Sequence, residues 1–105
     1  MNEKVLSLLG LARRAGRITC GFDSVCGSVN KRESCLLLIS SDISEGTLSK
    51  LKKQTGDAEL ITLDCGMEQI EAAIGKPVRI ISVNDSGFAK RIRQEICTGN
   101  GEEFI

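Results

Sequence analysis

The spacing of apolar residues predicts five helices. Residues 3–15 place Val5, Leu8 and Ala12 on one face, and Gly16 stands just beyond the last turn. Apolar residues three and four positions apart lie on the same side of a helix, and a glycine often ends one. The same pattern predicts the other helices at residues 21–30, 44–54, 67–74 and after Asp85.

Four shorter apolar segments between these helices predict strands. Residues 35–39, CLLLI, form a continuous apolar run, which is typical of a strand that is covered on both faces. Pro77 precedes a second such run at residues 78–83, VRIISV, and residues 18–20 and 59–63 form shorter ones.

The alternation of helices and strands predicts an α/β protein, built as a three-layer α/β/α sandwich around a four-stranded sheet. Crossovers of about 15 residues favour mostly parallel pairing, while the short first strand can run antiparallel and make the sheet mixed. The chain of 105 residues has the size of one domain. We therefore expect a single domain over residues 1–105, with residues 98–105 as a flexible tail.

The composition is that of a soluble globular protein, with 41% apolar and 27% charged residues. No apolar run approaches the roughly 18 residues that span a bilayer. The start of the chain, MNEKVLSLLG, lacks the basic residues and cleavage site of a secretory signal. We expect a cytoplasmic protein, a monomer that does not contact membranes.

The cysteines and the absence of histidine argue against an enzyme. Five cysteines without a C-x-x-C pair indicate neither a disulfide framework nor a zinc site, so free and mostly buried thiols are expected. Because the chain has no histidine, a catalytic serine or cysteine would lack its usual base. We expect no catalytic residue, no metal and no cofactor. A thiol-dependent enzyme or redox sensor using Cys20 or Cys26 stays as the least supported alternative.

The sequence motifs bear on two further kinds of site, a nucleotide-binding loop and a catalytic acid. Neither G-x-G-x-x-G nor G-x-x-x-x-G-K-[ST] occurs, which disfavours a nucleotide-dependent enzyme. Asp42 and Asp85 follow predicted strands, where α/β enzymes place catalytic acids and where helices need caps. Capping is the favoured interpretation, because no second carboxylate or histidine accompanies either residue.

The net charge is zero, but the cations are concentrated in the first half. Residues 1–53 contain nine Lys and Arg against five Asp and Glu. Such an asymmetry permits a basic face that binds phosphate, although charged runs are more often solvated helix faces.

Three stretches carry a resemblance to a known family. They are LLGLARRAGRITCG, LLLISSDIS and QIEAAIGKPVRIISVNDSGFAKRI. They resemble bacterial members of the kink-turn RNA-binding ribosomal protein superfamily, of the L-seven-Ae and L-thirty-e type, over about residues 4–95. The most specific pieces are the A-x-x-A-G-[KR] end of the first helix, Asp42 after a strand, and N-D-S-G-F-A-K after the last strand. The resemblance implies an L-thirty-e-like fold and a non-enzymatic, ribosome-associated protein of translation that holds sharply bent RNA in a ribonucleoprotein.

The resemblance also implies that the second helix reads guanine edges in non-canonical RNA. In the family this helix usually begins G-x-N-E-x-x-K, and the matching positions here are Gly21, Asp23, Ser24 and Gly27. Only Gly21 matches. Asp23 removes an amide donor, Ser24 is shorter than glutamate, and Gly27 removes a cation from the phosphate contacts.

A second contact implied by the resemblance is a loop that cradles an extruded base, at residues 73–79. In it Ile74, Pro77 and Val78 are expected to form an apolar cradle, while Lys76 and Arg79 meet phosphate. Arg17 and either Lys31 or Arg32 are expected to lie beside this loop. The alternative from local structure is a helix C-cap at Gly75 followed by a strand-opening proline. The complete set of residues predicted to bind RNA is Arg17, Gly21, Asp23, Ser24, Gly27, Lys31, Arg32, Asp42, Ile74, Gly75, Lys76, Pro77, Val78 and Arg79.

Two hypotheses of different class therefore remain open. The first is recognition of kink-turn-like structured RNA, with ribosomal or translation-related proteins as further partners. The second is a protein-interaction module that keeps the fold but has lost the RNA site, because three of the four positions of the reading helix are altered.

Overall fold

The computed structural model describes residues 3–101, with side chains for residues 3–97. The predicted elements are all found, in the predicted order. They are α1 (Glu3–Arg14), β1 (Ile18–Cys20), α2 (Phe22–Asn30), β2 (Leu36–Ile39), α3 (Glu45–Thr55), β3 (Leu60–Thr62), α4 (Met67–Ile74), β4 (Ile80–Val83) and α5 (Ser86–Gly101). The tail predicted at 98–105 lies outside the residues with described side chains, although the α5 backbone continues to Gly101.

The four strands form one mixed sheet in the order β1-β4-β2-β3. β2 and β3 are parallel, whereas β4 runs antiparallel to both of its neighbours. The mixed sheet is thus confirmed, but the expectation of mostly parallel pairing is wrong. The expectation is wrong because a connection that is long enough for a parallel crossover can also return the chain antiparallel. The length of a connection alone therefore does not fix the direction of the next strand.

The direction of β4 gives the sheet two distinct ends. At one end, where β1 and β2 finish and β4 begins, the Gly21 N–H donates to the Ile80 carbonyl (3.0 Å) and the Ser40 N–H donates to the Arg79 carbonyl (2.9 Å). We call this the Gly21 end. At the other, the Asn84 N–H donates to the Arg17 carbonyl (2.8 Å), and we call this the Asn84 end.

Each face of the sheet is covered by helices, which confirms the three-layer sandwich. Leu36 and Leu38 of β2 pack in a core with residues of α1, α4 and α5, while Leu37 and Ile39 pack in a second core with residues of α2 and α3. All four β2 residues are at most 1% exposed. The continuous apolar run of β2 is therefore buried on both faces of the sheet, as its sequence predicts.

The helix ends confirm the capping role predicted for Asp85, and Ser44 forms a second cap. The Asp85 carboxylate accepts a hydrogen bond from the Phe88 N–H (2.9 Å) in the first turn of α5. The Ser44 hydroxyl accepts one from the Thr47 N–H (3.2 Å) at the start of α3. Within residues 3–101, no helix has the length and apolar character required to cross a membrane.

Candidate nucleic-acid interface

A groove of about 410 Å³ opens at the Gly21 end of the sheet. Three chain segments form it: the start of α2, the residues that connect β2 to α3, and the loop that leads into β4. Its lining consists of Gly21, Phe22, Asp42, Ile43, Ser44, Thr47, Pro77, Val78, Arg79 and Ile80. The structure therefore brings together five of the residues predicted from sequence, which are Gly21, Asp42, Pro77, Val78 and Arg79. We call this feature the Gly21-end groove.

Gly21 turns the chain from β1 into α2 with a backbone that few other residues adopt. Its φ of 91° and ψ of 157° lie in a region that is essentially restricted to glycine. As N-cap it has no side chain to bond the first turn, so the opening amides of α2 lack a helical acceptor. These amides and the positive end of the helix dipole attract anions at the groove.

The residues predicted to read RNA lie on the exposed side of α2. Asp23 and Ser24 are exposed and Gly27 is half-buried, and their spacing of three and four residues places them on one face. Among the described residues, none bonds to the side chain of Asp23 or Ser24. A Cβ atom at Gly27 would meet nothing within 4 Å. This face is accessible, but it carries no cation.

The loop before β4 is a helix cap and a groove wall at once. Gly75 ends α4 in the left-handed conformation (φ 83°, ψ 7°), and its N–H donates to the Glu71 carbonyl at 2.7 Å. The Val78 N–H then donates to the Lys76 carbonyl (3.0 Å), which closes a tight turn around Pro77. The C-cap interpretation of Gly75 is confirmed. The cap is compatible with the predicted binding role, because the turn exposes Lys76 and Pro77.

Asp42 is anchored between two elements. One carboxylate oxygen, Oδ2, accepts a hydrogen bond from the Met67 N–H (3.2 Å) at the start of α4, and the other, Oδ1, lies 3.3 Å from Nε of Arg79. The pKa of the Asp42 carboxyl is lowered by the Ser40 hydroxyl first, then by the Met67 amide and by Arg79. Ser40 Oγ is fully buried and makes no hydrogen bond of good geometry within the described part of the chain; its effect on Asp42 is therefore one of proximity.

Ile74 does not belong to the groove, which corrects the predicted apolar cradle. It is 3% exposed and packs in the core between the sheet and α1, α4 and α5. Its side chain follows the buried face of α4, on which Ile70 also lies, and it therefore faces away from solvent. Of the three apolar residues predicted for the cradle, only Pro77 and Val78 line the groove.

Arg17, Lys31 and Arg32 were predicted to lie beside the loop at residues 75–79, but the structure places them at the other end of the sheet. Arg17 stands at the Asn84 end, and Lys31 and Arg32 follow the C-terminus of α2, one helix length away from Gly21. The four residues of β4 separate the two ends of the sheet by about 10 Å. Such a neighbourhood requires β4 to run parallel to β1 and β2, whereas β4 runs antiparallel to both.

Arg13 is the cation that sequence reasoning missed. One of its terminal guanidinium nitrogens lies 3.8 Å from where a Cβ of Gly75 would be. Arg13 and Lys76 both act electrostatically on the Cys20 thiol, which places both cations beside the end of β1. The signal was present in the sequence, since Arg13 occupies a variable position of the A-x-x-A-G-[KR] motif that ends α1.

Cys20 and Cys26, the two thiols of the thiol-dependent hypothesis, do not have the environment of reactive cysteines. The described cysteines are free, but only Cys26 and Cys65 are buried, while Cys20 and Cys35 are half-buried and Cys97 is exposed. Burial raises the pKa of the Cys20 thiol despite Lys76 and Arg13, and burial together with Asp23 raises that of Cys26. A raised pKa lowers the thiolate fraction at neutral pH, which weighs against the thiol-dependent hypothesis.

The sequence is similar to two curated bacterial proteins over most of its length. The RNA-binding protein YlxQ of Enterococcus faecium is 30% identical over 95 residues, which cover 90% of this chain and 92% of that protein. The RNA-binding protein YlxQ of Bacillus subtilis (strain 168) is 28% identical over 90 residues, which cover 81% and 87%. No protein-family model matches the sequence.

Solved structures share the fold. A protein of unknown function from Bacillus halodurans C is 33% identical, with a TM-score of 0.79 over 89% of this chain and 96% of that one. The 15.5 kD RNA-binding protein of Giardia lamblia is 16% identical, with a TM-score of 0.69 over 100% and 93%. At that identity the second likeness concerns the fold alone.

Proposed function

The chain belongs to the family of the RNA-binding protein YlxQ, and on that premise we propose that it is a non-catalytic protein that binds structured RNA containing a kink-turn. The Gly21-end groove is the proposed site. The exposed face of α2 meets base edges and the groove receives an unstacked nucleotide. We further propose that the protein acts in the cytoplasm in association with ribosomal RNA, where ribosomal or translation-related proteins are its neighbours.

The observation that carries the proposal is the groove itself. It combines the uncapped start of α2, an apolar wall at Pro77 and Val78, and the guanidinium of Arg79. Regular A-form helices hide their base edges, whereas bent or looped RNA extrudes bases that can enter such a pocket. Phosphates next to an extruded base then lie within reach of the helix amides and of Lys76.

The altered residues of α2 lead to a quantitative expectation for the RNA affinity. Asp23, Ser24 and Gly27 replace a carboxamide, a longer carboxylate and an ammonium group. A hydrogen bond to a charged group contributes about 1.5–3 kcal/mol. We therefore expect specific but weaker binding than the full G-x-N-E-x-x-K pattern gives, and a larger share of the affinity from the loop at residues 75–79.

A protein-interaction module is the second candidate. The observation in its favour is that the exposed α2 face carries Asp23, Ser24 and Gly27 and no cation, so this surface lacks the charge that phosphate binding normally requires. In this case the groove would receive a peptide or a loop of a partner protein.

The deciding experiment is a titration of the full chain with two RNAs of equal length, one with a kink-turn and one a straight duplex, at several salt concentrations. We expect tighter binding of the kink-turn RNA at every salt concentration, because only that RNA offers extruded bases. Arg14→Ala, a substitution at the far side of α1 beside Gln69 and Ala72, is a matched control that removes one cation without touching the groove. Equal weak affinities for both RNAs would contradict the proposal and favour the second candidate.

A further inference from the structure

Arg79 is held by a hydrogen bond at its main chain and by an ion pair at its side chain. Its carbonyl accepts the Ser40 N–H at 2.9 Å, and its Nε faces Asp42 Oδ1 at 3.3 Å. The other oxygen of Asp42 is held by the Met67 N–H at 3.2 Å. Although both side chains are almost half exposed, the carboxylate is therefore anchored to the start of α4 and restricts the orientation of the guanidinium at the groove wall.

The free part of the guanidinium is its outer edge. The group carries five N–H donors in a planar fork, and apart from Asp42 none of the residues 3–97 pairs with it. The pair with Asp42 engages Nε, which leaves the two terminal nitrogens for a ligand. Two parallel N–H donors match two kinds of acceptor in RNA, which are the O6 and N7 atoms of guanine and a pair of phosphate oxygens.

The surroundings favour the guanine edge over phosphate. Asp42 neutralises the charge of Arg79, so the pair attracts a phosphate weakly but retains directional donors for a neutral base. The remaining walls of the groove include Phe22, Pro77 and Val78, which offer an apolar surface to the flat face of a base and nothing to a phosphate. The opening amides of α2 are the better phosphate site.

We propose that Arg79, oriented by Asp42, selects guanine as the nucleotide that enters the Gly21-end groove. Adenine presents a donor where guanine has O6, and pyrimidines lack N7, so only guanine satisfies both terminal nitrogens. One good bidentate contact discriminates by roughly 5-fold to 150-fold against the other bases. This inference rests on the proposed function, since it requires an extruded nucleotide in the groove.

The test measures dissociation constants for kink-turn RNAs that differ only at the extruded nucleotide, which is guanine, 7-deazaguanine, adenine, uracil, cytosine or an abasic site. The wild-type chain is expected to bind the guanine RNA most tightly and to lose most of that preference with 7-deazaguanine. Arg79→Ala and Arg79→Lys are expected to bind the five RNAs that carry a base alike, and the abasic RNA more weakly because it lacks the contact with the apolar walls. Both variants should still prefer kink-turn RNA to a straight duplex. Arg79→Lys keeps the charge and removes the fork, so it separates charge from geometry.

Asp42→Asn tests the positioning role. Removing the carboxylate charge is expected to reduce the guanine preference and to steepen the salt dependence, because the charge of Arg79 is then available to phosphate. A merely structural role of Asp42 would change stability and leave both quantities as they are, which would overturn the positioning step.

Three outcomes overturn the guanine selection, and one of them also overturns the proposed function. A flat base profile in a wild-type chain that still prefers kink-turn RNA overturns the guanine selection alone. An equal loss for all six RNAs in Arg79→Ala shows that Arg79 meets phosphate and also overturns it. If the wild-type chain does not distinguish the kink-turn from the duplex, the proposed function fails and the inference fails with it.

Discussion

The two ends of the sheet use their polar groups in opposite ways. At the Asn84 end, the Asn84 amide donates to Thr19 Oγ1 (2.6 Å), its oxygen accepts from Ser82 Oγ (2.6 Å), and the Ser28 hydroxyl donates to the same Thr19 oxygen (2.8 Å). Ser34 Oγ lies 2.7 Å from Ser82 Oγ. These side chains satisfy one another and join β1, β4 and α2.

The Gly21 end leaves comparable groups unpaired. The opening amides of α2 have no side-chain cap, the outer edge of Arg79 is free, and Ser40 Oγ is buried without a good hydrogen bond among the described residues. Arg79 is almost half exposed, so of these groups Ser40 Oγ is the buried one, and native proteins pair almost all buried polar groups. The difference indicates that one end stabilises the fold and that the other is available to a ligand.

The largest expected effect is at the Asn84 end. Asn84→Ala removes the hydrogen bonds to Thr19 and Ser82 and leaves partly buried partners unsatisfied. We expect the free energy of unfolding to fall by roughly 2–3 kcal/mol, as measured by urea denaturation, without a change in RNA affinity per folded molecule. Ser34→Ala, which removes a single contact at the rim of the same network, is the control and should cost less. A loss in RNA affinity that exceeds the loss in stability would show that this end is not purely structural.

Two glycines of the α2 region should respond in opposite directions. Gly21→Ala introduces strain of about 1–3 kcal/mol, because the backbone at this position has positive φ. Gly27→Ala, in the helix interior, should stabilise by about 0.5–1 kcal/mol. Since a Cβ meets nothing within 4 Å at either position, packing does not obscure the result. Thermal and chemical denaturation of the two variants measure it, and effects of the same sign would contradict the backbone explanation.

Lys76 and Lys31 lie at opposite ends of the sheet, so substituting each shows which end contacts phosphate. Lys76 lies in the loop beside the groove, whereas Lys31 follows the C-terminus of α2 at the other end. Lys76→Ala should remove one phosphate contact and reduce the slope of log affinity against log salt by about 0.7–0.9, while Lys31→Ala should leave that slope unchanged. The measurement is a salt series of RNA titrations. A larger effect from Lys31 would move the interface to the Asn84 end.

The smallest expected effect on RNA affinity comes from placing a cation on α2 at Gly27, where the family pattern has a lysine. Gly27→Lys places an ammonium group on the exposed face of α2, where space is open. We expect a modest gain in affinity for kink-turn RNA and a salt slope steeper by about 0.7–0.9, with Gly27→Gln as a control for helix propensity. If Gly27→Lys and Gly27→Gln bind equally, this face does not contact phosphate.

Most of the fold was predictable because its signals are local. Helical periodicity, strand-length apolar runs and capping residues such as Ser44 and Asp85 act over a few positions, and each predicted element is found. The direction of β4 was not predictable in this way. It depends on the pairing of β4 with β1 and β2, and no local pattern in VRIISV differs between a parallel and an antiparallel neighbour.

The candidate site shows the same division between local and distant signals. The burial of Ile74 was available from the periodicity of α4, which places it on the same face as Ile70, but the resemblance suggested a contact instead. The positions of Arg17, Lys31 and Arg32 depend on the direction of β4, and the pairing of Asp42 with Arg79 depends on the register of β2 against β4. Such contacts between distant segments follow from topology, which the sequence pattern did not fix.

The central place of β4 has a consequence for the newly made chain. β1 pairs only with β4 within the described sheet, and the Gly21 N–H finds its acceptor at Ile80. A nascent polypeptide that has not yet released β4 from the ribosome therefore has neither a completed sheet nor Arg79 in place. Because domains fold as units during synthesis, we expect the groove to form only after β4 has left the ribosome.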